Sequence, residues 1–117
     1  MARERSGDRA GAVEDLRRGA ELAPGALPFR LELGRLLSAD PGARAEARVH
    51  LEEAVRLDPS SSTARLYLGD LSYREGMAAE AESSWRAARE LDPDSPLAGQ
   101  RLEMLKERPK PAAPPGN

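Results

Sequence analysis

Few side chains in this 117-residue sequence are suited to catalysis, and their spacing works against it. His50 is the single histidine and cysteine is absent. No thiolate or second imidazole is therefore available to complete a metal cluster or to activate a nucleophile. His50 stands between Val49 and Leu51 on a helical stretch, which reads as a surface or boundary position. Carboxylates are plentiful, but Glu52-Glu53 and Glu80/Glu82 alternate with arginines in the manner of a solvated face. Ser60, Ser61 and Ser62 follow a proline and precede a helical stretch, where hydroxyls cap rather than attack. Gly7 and Gly11 have neither the spacing nor the preceding strand of a phosphate loop. The expectation is a non-enzyme with no metal site and no cofactor.

What remains is the chemistry of recognition. Guanidinium groups pair with carboxylates through a planar fork, and tyrosine combines an apolar ring with a polar tip. Leu66, Asp70 and Tyr73 share one helical face by spacing alone, with Arg74 next to them. The 18 basic residues, 16 of them arginine, mostly stand beside some of the 20 acidic ones, and the net charge is −2. A basic stripe interleaved with aromatics is missing, so neither nucleic acid nor an anionic membrane is an expected partner.

The elements that must position these groups are helices. Ala, Leu, Glu and Arg dominate, and aromatics make up 3% of the chain, so the core has to be thin and modular. Helical periodicity runs over Asp8–Leu22, Leu27–Ser38, Ala43–Leu57, a stretch ending near Arg74, Ala78–Leu91 and Leu97–Glu107. Pro24-Gly25, Ala39-Asp40-Pro41-Gly42, Asp58-Pro59, Gly76 and Asp92-Pro93 separate them. Ser95-Pro96 reads as an N-cap followed by a first-turn proline. Glu14→Arg18 and Glu52→Arg56 have the spacing of surface pairs. Residues 1–7 read as a frayed start, and 108–117 (RPKPAAPPGN) as a polyproline-like, disordered tail. No apolar run approaches the ~20 residues of a membrane span and no secretory h-region opens the chain, so a cytoplasmic location is expected.

The stops are periodic. Ala88-Arg89-Glu90-Leu91-Asp92-Pro93 echoes Ala54-Val55-Arg56-Leu57-Asp58-Pro59 and, more faintly, Ala20-Glu21-Leu22-Ala23-Pro24. The three prolines lie 35 and 34 residues apart. Within that period fall Arg65-x2-Leu68-Gly69-x2-Ser72 with Ala81-x3-Trp85, and Arg30-x2-Leu33-Gly34-x2-Leu37 with Ala47-x3-Leu51. A half copy supplies Ala12-x3-Leu16. These residues resemble the tetratricopeptide repeat pattern W-x2-L-G-x2-Y…A-x3-F…P.

The resemblance implies an all-α, right-handed superhelical array of antiparallel helix pairs over 8–107. It comprises a half repeat (8–24), two repeats (27–59 and 62–93) and a capping helix (95–107). It also implies that Gly34 and Gly69 admit close helix approach, with Leu51 and Trp85 filling the space between helices. Arg30 and Arg65 replace the usual aromatic, their stems expected to cover apolar surface while their heads stay wet.

The family binds peptides on the concave face lined by the first helix of each pair. Carried over residue by residue, that groove comprises Leu31, Arg35 and Ala39, then Thr63, Leu66, Asp70, Tyr73 and Arg74, then Leu97, Gln100 and Met104. Leu31, Leu66 and Tyr73 are expected to give apolar contact, and Arg35 and Arg74 to orient the ligand. A bland alternative pairs Asp70 with Arg74 at i, i+4. The lysine and asparagine clamp by which some members grip a C-terminal carboxylate is absent. The expected function is therefore a protein-interaction module for a peptide or helix of a partner. Alternatives are a self-assembling scaffold unit, using an open apolar flank at Val13, Leu16 and Leu22 to form a homo-oligomer, and a regulatory fragment of a larger protein.

Overall fold

The computed structural model describes residues 5–107. Six α-helices follow in order: α1 (Arg5–Leu22), α2 (Leu27–Ser38), α3 (Arg44–Leu57), α4 (Ser62–Arg74), α5 (Ala78–Leu91) and α6 (Pro96–Glu107). A 3-10 turn, Pro41–Ala43, precedes α3. Helix α1 starts three residues ahead of the expected Asp8. Of the expected frayed start at residues 1–7, residues 5–7 are helical instead, and residues 1–4, like the polyproline-like tail expected at 108–117, lie outside the described residues.

Local chemistry accounts for the boundaries. Ser61 caps α4 by accepting a hydrogen bond from the Ala64 amide at 3.1 Å. Asp40 does the same for the 3-10 turn, accepting from the Gly42 amide at 3.0 Å. The Leu97 amide reaches the Ser95 hydroxyl at 3.4 Å, at the start of α6. Between α4 and α5 the chain reverses through Gly76, whose φ of +80° lies in the left-handed region that side chains resist.

Helices α2 and α3, then α4 and α5, form antiparallel pairs, with α1 docked on α2 and α6 docked on α5. Two glycines set how closely each pair approaches. A Cβ on Gly34 would lie 2.3 Å from Cγ and Cδ2 of Leu51, and one on Gly69 would lie 2.4 Å from Cδ1 and Nε1 of Trp85. The repeat's glycine is thus a steric requirement, met once in each pair. Gly19 plays a similar part for α1, since its Cβ would lie 2.5 Å from the Phe29 ring. On α6 the residue in the place of Gly34 and Gly69 is Glu103, which is exposed.

The core divides into two clusters. Val13, Ala20, Leu33, Leu37, Ala47, Leu51 and Leu71 form the first, between α1 and α4. Leu66, Ala81, Trp85, Ala88, Ala98 and Leu102 form the second, between α4 and α6. Helix α4 contributes to both, and Tyr67 packs against both.

Polar links tie successive layers. The Arg17 guanidinium on α1 grips Glu46 on α3 at both oxygens, 3.0 and 2.7 Å, and reaches Glu14 at 3.1 Å. This hydrogen bonding holds the Glu46 carboxyl below the usual carboxylate range. Glu14 therefore pairs with Arg17 instead of the expected Arg18. Likewise Arg56 pairs with Glu53, while Glu52 faces Arg48 at 3.7 Å. Arg48 also binds Glu75 and the Ser72 hydroxyl, fastening α3 to the end of α4.

Candidate functional site

A cavity lies at the C-terminal half of α4. Asp70, Tyr73 and Arg74 from α4, Trp85 from α5, and Arg101 and Met104 from α6 enclose about 270 Å³. Asp70 organises the floor. Its Oδ1 accepts from the Trp85 indole N–H at 3.0 Å and from Arg101 Nε at 2.9 Å, and its Oδ2 lies 3.4 Å from Arg101 Nη2. One half-buried carboxylate thereby ties three helices together. The Tyr73 ring leans on Trp85 with centroids 5.6 Å apart at 41°. Trp85 itself is fully buried, so Tyr73 and the 38%-exposed Met104 supply the apolar contact surface.

Four of the residues assigned from the sequence therefore meet at one cavity: Asp70, Tyr73, Arg74 and Met104. Thr63, Leu66 and Leu97 line a separate space of about 60 Å³ at the opposite end of α4, with Ser62, Ala88, Asp92, Ser95 and Ala98. Leu31, Arg35, Ala39 and Gln100 border neither space.

Several assignments change once the helices are packed. Leu66 is 6% exposed and belongs to the second core cluster, because α5 and α6 close over that part of α4. It builds the wall rather than presenting a contact. Asp70 does not pair with Arg74. It is taken by Arg101 and Trp85, while Arg74 Nη1 donates to the Ser38 hydroxyl at 2.7 Å. Arg35 is engaged by Glu32 one turn back on α2, through contacts of 3.1 and 2.7 Å that raise the arginine's pKa and lower the carboxylate's. Arg30 and Arg65 do not keep wholly wet heads. The Nε of each is buried without a partner, since the stems run between helices and carry that atom inside. Arg30 still reaches His50 Nδ1 at 3.0 Å, and His50 Nε2 faces Glu46 at 3.2 Å. The imidazole is thus a half-buried joint between α2 and α3.

The sequence did not mark Arg101 or Arg44. Arg101 meets Asp70 across 31 residues, a pairing no local spacing reveals. Arg44 Nε donates to the Ser38 carbonyl at 3.1 Å and its Nη1 to the Arg74 carbonyl at 3.3 Å. It caps the ends of α2 and α4 together. The only signal was its place in the first turn of a helix that follows two breakers. Among the described residues no group of His, Cys, Asp or Glu could hold a metal ion, and no helix is long and apolar enough to cross a membrane.

Stacked antiparallel helix pairs define a helical-repeat fold of the kind that carries protein interactions. The chain belongs to the tetratricopeptide repeat family, whose sequence profile, described as "Tetratricopeptide repeat", matches residues 38–106. Among solved structures it is similar to the type III secretion translocator chaperone SycD of Yersinia enterocolitica, in a crystal structure titled as an alternative dimer. The two are 25% identical with a TM-score of 0.76, and the match covers 86% of this chain and 81% of that one. No curated protein gives a significant match to the sequence.

Proposed function

We propose that the chain captures a peptide or helical segment of a partner protein on its concave face, centred on the cavity between α4 and α6. The observation that carries this reading is the convergence of Asp70, Tyr73, Arg74 and Met104 on one open space. Tyr73 and Met104 offer amphipathic and apolar contact, and Arg74 offers a fork for a carboxylate. Leu31 and Arg35 extend the surface along α2, although Arg35 must first leave Glu32 to bind anything else. The family membership and the chaperone likeness support protein partners in general. The test is a double substitution, Tyr73→Ala with Arg74→Ala, in protein of unchanged far-UV circular dichroism. The set of proteins it captures from the source cell is compared with that of the wild type. Loss of specific captures supports the groove, and an identical set refutes it.

A second reading, self-assembly through α1, is favoured by one observation. Leu22 is 80% exposed, well above its repeat counterparts, the half-buried Leu57 and the 41%-exposed Leu91. Val13 and Leu16 do not share that exposure, since both pack against the first core cluster. The SycD structure's title adds a precedent for dimers in a similar fold. Sedimentation of wild type and Leu22→Ser over a range of concentrations decides. Association that the substitution removes supports this reading, and a concentration-independent monomer rejects it. A role as the regulatory part of a larger protein is compatible with either.

A further inference from the structure

We infer that the rim of the concave face carries an anion subsite, formed by Arg44 and Arg74 around Ser38, that takes a carboxylate of the bound segment. This rests on the concave-face reading and names the ligand chemistry it requires.

Arg17, Arg35, Arg48, Arg56, Arg86 and Arg101 each hold a carboxylate. Of the described arginines that show no such pair, Arg9, Arg18, Arg30, Arg65, Arg89, Arg44 and Arg74, the last two lie together. Their described partners are the Ser38 carbonyl, the Arg74 carbonyl and the Ser38 hydroxyl, all uncharged. Two cations have thus been brought onto one buried serine, with no counter-charge of their own.

Capping of helix ends explains only part of this. Carbonyl capping accounts for Arg44 Nε and Nη1. It does not account for Arg74, which turns to a hydroxyl on the neighbouring helix. A guanidinium has five N–H donors. Arg44 Nη2 and Arg74 Nε and Nη2 have no hydrogen-bond partner among the described residues. Arg74 is an exposed residue, and Arg44 Nη2 is not among the buried unsatisfied atoms. Each guanidinium is tethered to Ser38 by one hydrogen bond, and such pre-ordering reduces what a ligand must organise on binding.

The position suits a ligand in the cavity. Arg74 lines it together with Tyr73 and Met104. The other cation there, Arg101, is already matched by Asp70. The cavity and its rim therefore carry uncompensated positive charge, complementary to an acidic side chain flanking an apolar one. Arg35, the other candidate on this face, is already neutralised by Glu32.

The test uses the full chain with isotope-labelled arginine, tyrosine and methionine, followed by NMR. The probes are hexaglutamate capped at both ends, hexaglycine with a free C-terminus, and inorganic phosphate. With capped hexaglutamate, the Nε–H signals of Arg44 and Arg74 are expected to move together and saturate. Arg74→Gln should weaken that binding about tenfold, the loss of a charge-assisted hydrogen bond, whereas Arg89→Gln should leave it unchanged. Arg74→Lys should recover part of it, since charge returns without the fork. Arg44→Gln should act like Arg74→Gln. If it does not fold, Arg74→Gln decides alone, because Arg74 spends only one donor on the protein.

Shifts spread evenly over Arg9, Arg18 and Arg89 without saturation overturn the subsite, as does wild-type binding by Arg74→Gln. Saturation by hexaglycine rather than hexaglutamate makes the anion a chain terminus, still within the inference. Tighter saturation by phosphate than by either peptide overturns the carboxylate assignment. If the arginine signals saturate while Tyr73 and Met104 stay still, the concave-face reading fails and the subsite stands. If Tyr73 and Met104 move and the arginines do not, the subsite alone fails.

Discussion

Replacing Gly69 by alanine tests the packing logic most directly, because the same substitution at Gly99 should have the opposite sign. Both glycines lie within helices, where alanine is favoured by about 1 kcal/mol. At Gly99 nothing lies within 4 Å of the added methyl, so that gain should appear nearly whole. At Gly69 the methyl would sit 2.4 Å from Cδ1 and Nε1 of Trp85, an indole with no exposed surface into which to retreat. Overpacking of this kind costs about 1–3 kcal/mol. Moving the ring also weakens its hydrogen bond to Asp70, a contact to a charged group that contributes roughly 1.5–3 kcal/mol. Set against the helix gain, the net loss is about 1.5–5 kcal/mol. For a domain of this size each kcal/mol shifts the melting temperature by roughly 4–8 °C. Thermal melts by circular dichroism should therefore show Gly69→Ala falling by at least ~6 °C and Gly99→Ala rising by a few degrees. A Gly69→Ala protein that melts at or above wild type would refute the claim that glycine is needed for helix approach.

The first pair offers a coupled version of the same test. Gly34→Ala should destabilise, and Leu51→Ala should cost about 2–5 kcal/mol as a cavity, but the double variant should lose less than the sum, since the new methyl fills space Leu51 vacates. Additive losses in denaturant titrations would contradict the contact. A pH prediction follows from Glu46. Because Arg17 lowers its folded-state pKa, the pair contributes stability above the unfolded value of about 4.3 and loses it as pH falls through the lower folded value. The melting-temperature gap between wild type and Arg17→Met should thus be present at pH 6 and shrink progressively toward pH 3. A gap that widens on acidification would reverse the assignment.

Most of the fold was legible because its determinants are local. Prolines 24, 59 and 93 stop helices wherever they occur, Ser61 caps its own next turn, and Gly76 turns the chain without help from elsewhere. The glycines at 34 and 69 recur with their partners Leu51 and Trp85 at fixed offsets, so even a tertiary contact could be read from the period. The site was less legible. A helical period shows that Leu66, Asp70 and Tyr73 share a face but not which neighbour covers it, and α6 covers Leu66. Asp70 finds Arg101 from the following layer, and Arg74 finds Ser38 from the preceding one, 36 residues away. Such pairings depend on how successive layers are offset. The buried Nε atoms of Arg30 and Arg65 have the same origin. A side chain judged long enough to reach water was, at that point, threaded between two helices.

The division of the core into two clusters has a consequence for how the molecule comes apart. Helix α4 is the shared wall, with Leu71 facing one cluster and Leu66 the other, and Tyr67 touching both. Apolar coupling between the halves therefore runs through a single helix rather than a common interior, beside one ion pair from Arg48 on α3 to Glu80 on α5 at 3.9 Å. The one tryptophan sits wholly on the α5–α6 side, so its emission reports that half alone, while ellipticity averages over both. Weakening Tyr67 should pull the two signals apart along a denaturant axis, turning one unfolding transition into two and making the strength of nearest-neighbour coupling a measurable quantity.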